Sequence, residues 1–251
     1  MEKIALVTGA TSGIGKATAL KLAEAGYSVI ITGRRWHLLA ELEKQLIQKS
    51  RVLALSFDVS NNEEVNHAID KLPEEWKNIE LLVNNAGLAA GLSSIQNGDI
   101  EDWEKMIDTN VKGLLYVTKK IIPMMISHKR GHIVNIGSIA GKEVYPMGNV
   151  YCATKYAVDA LTKAMRIDLL EHNIKVTGIC PGMVETEFSL VRFKGNKENA
   201  KTVYDGLEPL KAEDVADVIL FAVTRPSHVN LNDIVITPTA QASATNVIRK
   251  K

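Results

Sequence analysis

Three residues of this sequence have the types and spacing of a proton-transfer site: Tyr151, Lys155 and Ser138. Tyr151 and Lys155 are four residues apart, so both side chains project from one face if the segment is helical. A neighbouring ammonium group lowers the pKa of a phenol, so we expect Tyr151 to act as a general acid or base near neutral pH. Ser138 follows an apolar run and precedes Tyr151 by 13 residues, which supplies a hydroxyl partner. Together the three residues indicate acid–base chemistry.

A glycine-rich segment, residues 8–15 with the sequence TGATSGIG, joins the first apolar run to a helical pattern. Glycines allow a tight turn and a close approach to a pyrophosphate, and the following helix N-terminus offers free N–H groups and a positive dipole end. A nucleoside triphosphate loop is excluded, because Ala10 replaces its first glycine and Ala17 replaces the hydroxyl that binds magnesium. The segment therefore predicts a dinucleotide-binding turn.

The second apolar run ends in two arginines, Arg34 and Arg35, where an NAD-preferring fold has a carboxylate for the ribose 2′-hydroxyl. The first carboxylate after this run is Glu41, which lies within the next helical pattern. Guanidinium groups suit a 2′-phosphate because they can bind it with two hydrogen bonds. The sequence therefore predicts NADP as the cofactor, with Arg34, the residue closer to the strand end, as the first candidate for the phosphate.

Short β-branched runs alternate with amphipathic stretches along the chain, and the near-continuous apolar character of the runs is typical of buried parallel strands. We predict seven strands, at residues 4–7, 28–32, 52–56, 79–83, 132–136, 175–179 and 233–237. We predict helices at residues 14–25, 38–49, 63–71, 100–127, 151–171 and 212–224. This alternation indicates an α/β chain with a single-domain Rossmann fold over residues 1–251, in which a doubly wound seven-stranded parallel sheet has helices on both faces.

Two long irregular segments follow predicted strands, at the sheet edge where such folds bind ligands. They are residues 88–98 and residues 182–210, and we expect the second to be a substrate lid. The tail, residues 238–251, has no charge before Arg249 and has no helix or strand pattern.

The charge balance excludes several classes of partner. There are 30 Lys and Arg against 29 Asp and Glu, a net charge of 30 − 29 = +1, which gives no argument for nucleic acid or an anionic membrane. No stretch approaches the roughly 20 apolar residues of a membrane span. The cysteines, Cys152 and Cys180, form neither a disulfide framework nor a zinc spacing. We expect a cytoplasmic protein with no metal, no nucleic-acid partner and no membrane segment.

In combination, these motifs resemble the short-chain dehydrogenase/reductase family over nearly the whole chain. The matching pieces occur in the family's order and are the turn at residues 8–15, Asp58 and Val59, Asn84 to Gly87, Asn110, Ser138, Tyr151, Lys155, and Pro181 with Gly182. The resemblance implies an oxidoreductase acting on alcohols and carbonyls.

The resemblance also implies a role for each catalytic residue. Tyr151 would exchange a proton with the substrate oxygen, and Ser138 would orient that oxygen. Lys155 would hold the nicotinamide ribose and depress the pKa of Tyr151. Asn110 would kink its helix and hold a water in a proton relay to Lys155.

The cofactor residues that the resemblance implies begin with the turn, which would bind the pyrophosphate. The full set is Gly9, Thr11, Ser12, Gly13, Ile14, Gly15, Arg34, Arg35, Asp58, Val59, Asn84, Ala86, Gly87, Tyr151, Lys155, Pro181, Gly182, Val184 and Thr186. Asp58 and Val59 would flank the adenine, Asn84 and Ala86 would line the ribose, and Val184 and Thr186 would meet the carboxamide. Many NADP-using members carry a basic residue where Ser12 stands, so the NADP prediction depends on the two arginines.

A closer resemblance, to NADP-dependent 3-hydroxy acid dehydrogenases, involves residues 131–138, 144–151, 182–188, 191–195 and 238–245. It implies serine, allo-threonine or a related short 3-hydroxy acid as substrate. It also implies a homotetramer in which the tail packs on a neighbouring subunit, and the helices at 103–127 and 151–171 form the main dimer faces.

An acidic substrate requires a cation, and Arg192, Lys194 and Lys142 are the candidates, with Arg192 preferred because its fork suits a carboxylate. Tyr145 and Met147 are predicted to wall the pocket, together with Ser138 and Tyr151. Two alternatives stay open. One is another carbonyl reductase, for 3-oxoacyl carrier protein, sugars, steroids or ketones; the other is a non-enzymatic NADP-binding regulator, although no catalytic residue is missing.

Overall fold

Seven parallel strands form one sheet within residues 2–250, the part of the chain that the computed structural model describes. The strands are β1 (Lys3–Val7), β2 (Tyr27–Gly33), β3 (Val52–Ser56), β4 (Ile79–Asn84), β5 (Gly131–Ile136), β6 (Ile174–Pro181) and β7 (Asp233–Ile236). Their order is β3-β2-β1-β4-β5-β6-β7, and every adjacent pair is parallel. All seven predicted strands are confirmed, with ends that differ by no more than two residues.

Nine α-helices lie within the same described residues. They are α1 (Gly13–Glu24), α2 (Trp36–Leu46), α3 (Asn62–Asp70), α4 (Ile100–Ile107), α5 (Leu114–Ser127), α6 (Asn149–Asp168), α7 (Phe188–Arg192), α8 (Lys197–Thr202) and α9 (Ala212–Val223). Short helical turns occupy Glu74–Trp76, Ile95–Asn97, Ile139–Gly141 and Leu170–His172. None of the helices among the described residues is long and apolar enough to cross a membrane.

Both faces of the sheet are covered, because neighbouring residues of each strand point to opposite sides. Leu6 of β1 belongs to a buried cluster with α3, α5 and α6, whereas Ala5 and Val7 belong to a second cluster with α1, α2 and α9. The strand order reverses between β1 and β4, which opens a crevice at the carboxyl ends of these strands. The doubly wound Rossmann fold expected from the sequence is confirmed.

The helix predicted as one stretch over residues 100–127 is interrupted in its middle. Helix α4 ends at Ile107, a π-helical segment covers Asp108–Gly113, and α5 begins at Leu114. Such π-bulges occur frequently at functional sites. Asn110 lies within the bulge, where the family resemblance implies a kink, and its side chain is buried.

The segment expected to be a lid contains α7 and α8 and is closed at its base. Val184 and Leu210 form an isolated parallel bridge, in which the Glu185 amide donates to the Leu210 carbonyl over 2.8 Å. Farther along, Lys194 forms ion pairs with Asp99 (3.2 Å) and Asp102 (2.9 Å) near the start of α4. Both ends of the segment are therefore fixed to the sheet edge, and its middle is held across the crevice.

The tail packs on the lid of its own chain, and the contact with a neighbouring subunit that the resemblance implies stays a prediction. The Lys250 amide donates to the Gly206 carbonyl over 2.6 Å, and Arg249 donates to the Val203 carbonyl over 2.9 Å, both within the lid. Gln241 accepts from the Met183 amide over 2.8 Å. Backbone and side-chain groups of the tail thus form hydrogen bonds with the lid of the same chain.

Candidate active site

A cleft of about 760 Å³ lies at the carboxyl ends of the strands, where the strand order reverses. Most of the site residues expected from the sequence line it: Gly9, Thr11, Ser12, Gly13, Ile14, Arg34, Arg35, Asp58, Val59, Ala86, Gly87, Ser138, Tyr145, Tyr151, Lys155, Pro181, Gly182, Val184, Thr186 and Arg192. Sheets of this kind bind their ligands in this crevice. Four of the expected residues, Gly15, Asn84, Asn110 and Met147, do not line it.

The glycine-rich turn presents an anion-binding end of α1 to the cleft. Gly9 and Gly13 have φ values of 65° and 52°, which a side chain would strain. Ser12 precedes the helix without capping it through its side chain, and the first turn carries no acidic residue. The first N–H groups of α1 and the positive end of its dipole are therefore available to a phosphate.

Gly15 supports this turn from behind. A Cβ atom at Gly15 would overlap the Asn85 side chain and the Gly9 carbonyl oxygen. Asn85 donates to the carbonyls of Thr8 (2.8 Å) and Gly9 (3.1 Å), so it ties the turn to the end of β4. Gly15 thus allows close packing within the turn.

Asn84 does not line the cleft, and its role as a ribose contact stays a prediction. Asn84 is buried and donates to Thr118 (2.8 Å) and Asn135 (2.9 Å), on the face of the sheet covered by α5. Its neighbour Asn85 lines the cleft instead. Adjacent strand residues point to opposite faces, so the period of two along β4 was the signal that could have chosen between the two asparagines.

Met147 does not line the main cleft either. Met147 has a φ of 63°, in the left-handed region, and 51% of its surface is exposed. It borders a separate small hollow beside Tyr145 and Gly148, outside the main cleft. Because Tyr145, Tyr151 and Arg192 line both this hollow and the main cleft, a role of Met147 in the substrate pocket stays a prediction.

Both arginines at the end of β2 line the cleft and are already paired with carboxylates. Arg34 pairs with Asp58 at 3.2 Å. Arg35 pairs with Glu187 of the lid at 2.9 Å and donates to the hydroxyls of Thr11 and Ser12, each at 2.9 Å. Two guanidinium groups beside an open helix N-terminus fit a dinucleotide with an additional phosphate.

Lys155 and Ser138 converge on the same part of the cleft as Tyr151. The Lys155 ammonium donates to the Ile136 carbonyl over 2.9 Å, and burial lowers its pKa to about 8. The Ser138 hydroxyl accepts from the Ala140 amide over 3.0 Å. These contacts orient both side chains from fixed backbone positions at the end of β5.

Burial raises the pKa of Tyr151, and this effect exceeds the lowering by the Arg192 charge and by hydrogen bonding with Ser138. The lowering of the Tyr151 pKa by Lys155 that the resemblance implies stays a prediction. The Lys155 nitrogen lies 6.0 Å from the centre of the Tyr151 ring, and its own charged form is destabilised by burial.

Asn110 holds the segment that follows β4. Its side-chain amide exchanges two hydrogen bonds with the backbone of Leu88, both at 2.8 Å, and donates to Thr154 over 3.1 Å. A Cβ atom at Gly87 would lie 3.2 Å from the Asn110 oxygen and 3.7 Å from the Lys155 nitrogen. Asn110 thus fixes the floor of the cleft next to Lys155, and the water relay stays a prediction.

The three candidate cations for an acidic substrate have different surroundings. Lys142 pairs with Asp159 and Asp233, and Lys194 pairs with Asp99 and Asp102. Neither lysine lines the cleft. Arg192 does line it, and it forms no ion pair within the described residues.

Arg192 is surrounded by aromatic rings. Its guanidinium carbon lies 4.9 Å from the ring centre of Tyr151, 5.2 Å from that of Phe188 and 5.8 Å from that of Tyr145. One nitrogen donates to the Tyr145 hydroxyl over 2.8 Å, while the buried Nε atom has no hydrogen-bond partner in the described structure. A buried guanidinium nitrogen without a partner indicates capacity for a further acceptor.

Several cleft residues were missed by the sequence reasoning. Those outside the lid and the tail include Phe57, Asn85 and Thr109, and those within them include Phe188, Tyr204, Ala244, Thr245, Val247 and Arg249. Tyr204 donates to the Val184 carbonyl over 2.8 Å and bonds Ser189 over 2.7 Å, which braces the lid. No local pattern could have found the tail residues, because only the folded lid brings them to the cleft. The described residues contain no cluster of acidic, His and Cys side chains that could hold a metal ion.

Comparison with known proteins agrees with this geometry. The short chain dehydrogenase family model matches residues 3–197, and the chain belongs to that family. Among curated relatives, a sulfoacetaldehyde reductase 2 of Chromohalobacter salexigens is 46% identical, with 96% of each chain covered. An NADP-dependent 3-hydroxy acid dehydrogenase of Schizosaccharomyces pombe is 43% identical over 99% of this chain and 97% of its own. A solved closed form of serine dehydrogenase with NADP+ is 42% identical, with a TM-score of 0.92 and coverage of 99% of this chain and all of the other.

Proposed function

We propose that this protein is an NADP-dependent oxidoreductase that interconverts a short 3-hydroxy acid, such as serine, allo-threonine or 3-hydroxypropionate, with its 3-oxo form. The observation that carries the substrate class is Arg192, which faces the cleft beside Tyr151 while its rivals Lys142 and Lys194 are paired elsewhere. A guanidinium group suits a carboxylate through two parallel hydrogen bonds. The names of two relatives, at 43% and 42% identity, point in the same direction.

Each side chain then has a role in the reaction. The nicotinamide, when bound, supplies or accepts the hydride. Tyr151 donates a proton to the carbonyl oxygen in reduction and accepts it in oxidation, and Ser138 orients that oxygen. Lys155, held by the Ile136 carbonyl, binds the ribose beside them. Arg192 holds the carboxylate, which places the reacting carbon next to Tyr151.

Cofactor binding is supported by the open N-terminus of α1 and by the two arginines. The first N–H groups of α1 bind the pyrophosphate. Arg34 and Arg35 bind the 2′-phosphate, and to do so they must share their hydrogen bonds with Asp58 and Glu187. Asp58 and Val59 border the adenine side of the cleft, and Val184 and Thr186 border the nicotinamide side.

The test compares 3-hydroxypropionate with its methyl ester, which has the same shape around the hydroxyl and no charge. We expect the acid to have the lower KM, and Arg192→Ala to raise that KM at least tenfold while the KM of the ester changes by less than threefold. Lys201→Ala is the matched control, since Lys201 is an exposed lysine of the same lid. Equal effects of Arg192→Ala on acid and ester would refute the carboxylate role.

A sulfonate substrate is a second candidate, because a sulfoacetaldehyde reductase is 46% identical to this chain. A sulfonate presents oxygen acceptors to a guanidinium as a carboxylate does. Initial rates with sulfoacetaldehyde and with a 3-oxo acid of similar length, at equal NADPH, separate the two. A higher kcat/KM for sulfoacetaldehyde would assign the sulfonate as the preferred substrate.

We also propose a homotetramer in the cytoplasm. Exposed apolar side chains on the helices named for the dimer faces support assembly, among them Ile107 on α4, Leu115 on α5 and Ile167 on α6. The two cysteines are unpaired and buried, which suits a reducing compartment. Light scattering after size-exclusion chromatography measures the subunit number, and a monomeric mass would contradict the assembly.

A further inference from the structure

The guanidinium group of Arg192 lies closer to the Tyr151 ring than the ammonium group of Lys155 does. The distances to the ring centre are 4.9 Å for the Arg192 carbon and 6.0 Å for the Lys155 nitrogen. Lys155 extends from the same helix as Tyr151 and donates to the Ile136 carbonyl. Arg192 reaches the ring from the lid, and its Nε atom has no partner. The lid therefore brings a second cation to the phenol.

The remaining groups that face Tyr151 carry no charge near neutral pH. On its own helix, burial raises the pKa of the Cys152 thiol, and in the loop after β5 burial raises the pKa of Tyr145. Ser138 contributes a neutral hydroxyl from the same loop. Phe188 contributes an apolar ring from the lid, and the centre of this ring lies 5.6 Å from that of Tyr151. Only the two cations thus act on the phenol through a full charge, within the described surroundings.

These two cations differ in the pH range over which they stay charged. Burial lowers the pKa of Lys155 to about 8, so much of its charge is lost at the alkaline pH where a phenol titrates. A guanidinium group keeps its charge throughout this range. Arg192 is therefore the permanent positive charge beside the Tyr151 ring.

We propose that Arg192 controls the protonation of the Tyr151 hydroxyl through its fixed charge, and that an acidic substrate weakens this control by pairing with the guanidinium. With an uncharged substrate, Arg192 stabilises the phenolate and favours Tyr151 as a base. With an acidic substrate, the carboxylate offsets that charge, and Tyr151 keeps its proton, which is the form needed for reduction. The second half of this proposal rests on the proposed function; the first half does not. Arg192 acts here through Tyr151 and is a positioning residue in that sense.

The size of the effect follows from Coulomb's law. Two unit charges about 5 Å apart at an effective dielectric constant of roughly 20 to 40 interact strongly enough to move a pKa by roughly one to two units. In oxidation at saturating NADP, kcat rises with pH as the base loses its proton, and its pH profile reports the enzyme–substrate complex. We expect the midpoint of this rise to lie roughly one to two pH units higher for the 3-hydroxy acid than for its methyl ester.

The substitution that tests the charge is Arg192→Gln, with Arg192→Lys as the conservative variant and Lys201→Gln as the control. Lys201 is an exposed lysine on α8 of the same lid, so its loss changes the net charge equally. Arg192→Gln should move the ester midpoint up by roughly one to two units and make the ester and acid profiles coincide. Arg192→Lys should give an ester midpoint between those of the wild type and Arg192→Gln, because a buried ammonium group loses part of its charge at alkaline pH, and Lys201→Gln should change nothing. An unchanged ester midpoint in Arg192→Gln would overturn the proposal.

A titration that needs no turnover provides the second measurement. The ultraviolet absorbance of tyrosinate is recorded against pH, and the curve of Tyr151→Phe is subtracted to isolate Tyr151. The same subtraction is made in the Arg192→Gln background. We expect Tyr151 to titrate at higher pH without Arg192, and identical curves would overturn the proposal even if Arg192→Gln lost all activity. The two proposals can fail separately. If the wild type has a lower KM for the ester than for the acid, but the Tyr151 titration still moves in Arg192→Gln, the proposed substrate class is refuted and the effect of the Arg192 charge on Tyr151 is supported.

Discussion

Replacing Arg34 by alanine should raise the KM for NADP about tenfold and leave the KM for NAD within about twofold. A hydrogen bond to a charged group contributes about 1.5 to 3 kcal/mol. The Arg34 side chain is 59% exposed, so solvent screening favours the lower end, near 1.5 kcal/mol. About 1.4 kcal/mol corresponds to a factor of ten in affinity. NAD lacks the 2′-phosphate, so it loses little when Arg34 is removed.

Arg35→Ala should have a larger effect, because Arg35 also neutralises Glu187 at the mouth of the cleft. Its removal leaves the Glu187 carboxylate facing the phosphates of either cofactor, a repulsion of about 0.7 kcal/mol at roughly 6 Å in water. With the lost phosphate contact of about 1.5 kcal/mol, the KM for NADP should rise roughly 30-fold. The KM for NAD should rise only about threefold. Adding Glu187→Gln should remove the part of the rise in KM that comes from the repulsion, for both cofactors.

Initial rates with both cofactors, at saturating substrate and two salt concentrations, measure these effects. Arg225→Ala is the matched control, since Arg225 lies beyond α9 against Phe221 and outside the cleft. The effects on NADP should shrink at high salt, because exposed charges are screened. Equal changes in the KM for NADP and for NAD after Arg34→Ala would refute a 2′-phosphate role for that residue.

Three further predictions concern proton transfer, packing and pH. Tyr151→Phe should lower kcat at least about hundredfold while NADPH affinity, followed by nucleotide fluorescence, stays within about twofold; near-native rates would contradict the proton-transfer role. Asn84→Ala should lower the free energy of unfolding in urea by about 1 to 3 kcal/mol with the KM for NADP unchanged, whereas Asn85→Ala should raise that KM, since Asn85 holds the glycine-rich turn. Burial lowers the pKa of His132 to about 3, so the folded protein binds its proton less readily than the unfolded chain does, and stability is lost as pH falls below about 6.5. The free energy of unfolding should drop by about 2 kcal/mol between pH 6.5 and pH 5 from this residue, and His132→Gln should remove that part of the pH dependence.

The positions of the strands and most of the cofactor site could be predicted because they depend on local pattern. An apolar run buried on both faces marks each parallel strand wherever it lies, and the glycine turn is recognisable from residues 8–15 alone. The sequence reasoning could not distinguish neighbouring residues of the same type that lie in different environments. Asn84 and Asn85 are chemically identical, and only the direction of each side chain relative to β4 decides which one enters the cleft.

The protonation of Tyr151 could not be predicted from its spacing to Lys155. Helical spacing places the two side chains on one face, but burial acts on both and shifts their pKa values in opposite directions. The balance depends on how much of each group the lid and the strand ends cover. That quantity is a property of the folded chain and has no local pattern.

By itself, the sequence determined the fold class, the dinucleotide turn and the identity of the groups that can move a proton, because each depends on residues close together along the chain. Tertiary structure alone decided which cation serves the cleft. Lys142, Arg192 and Lys194 all belong to residue types that are positively charged at neutral pH, yet carboxylates from distant parts of the chain occupy the two lysines. Folding of the lid places Arg192 against the Tyr151 ring and leaves one of its nitrogens without a partner. Such pairing depends on long-range contacts, since an ion pair forms wherever the fold brings two charges together, whatever their separation along the chain.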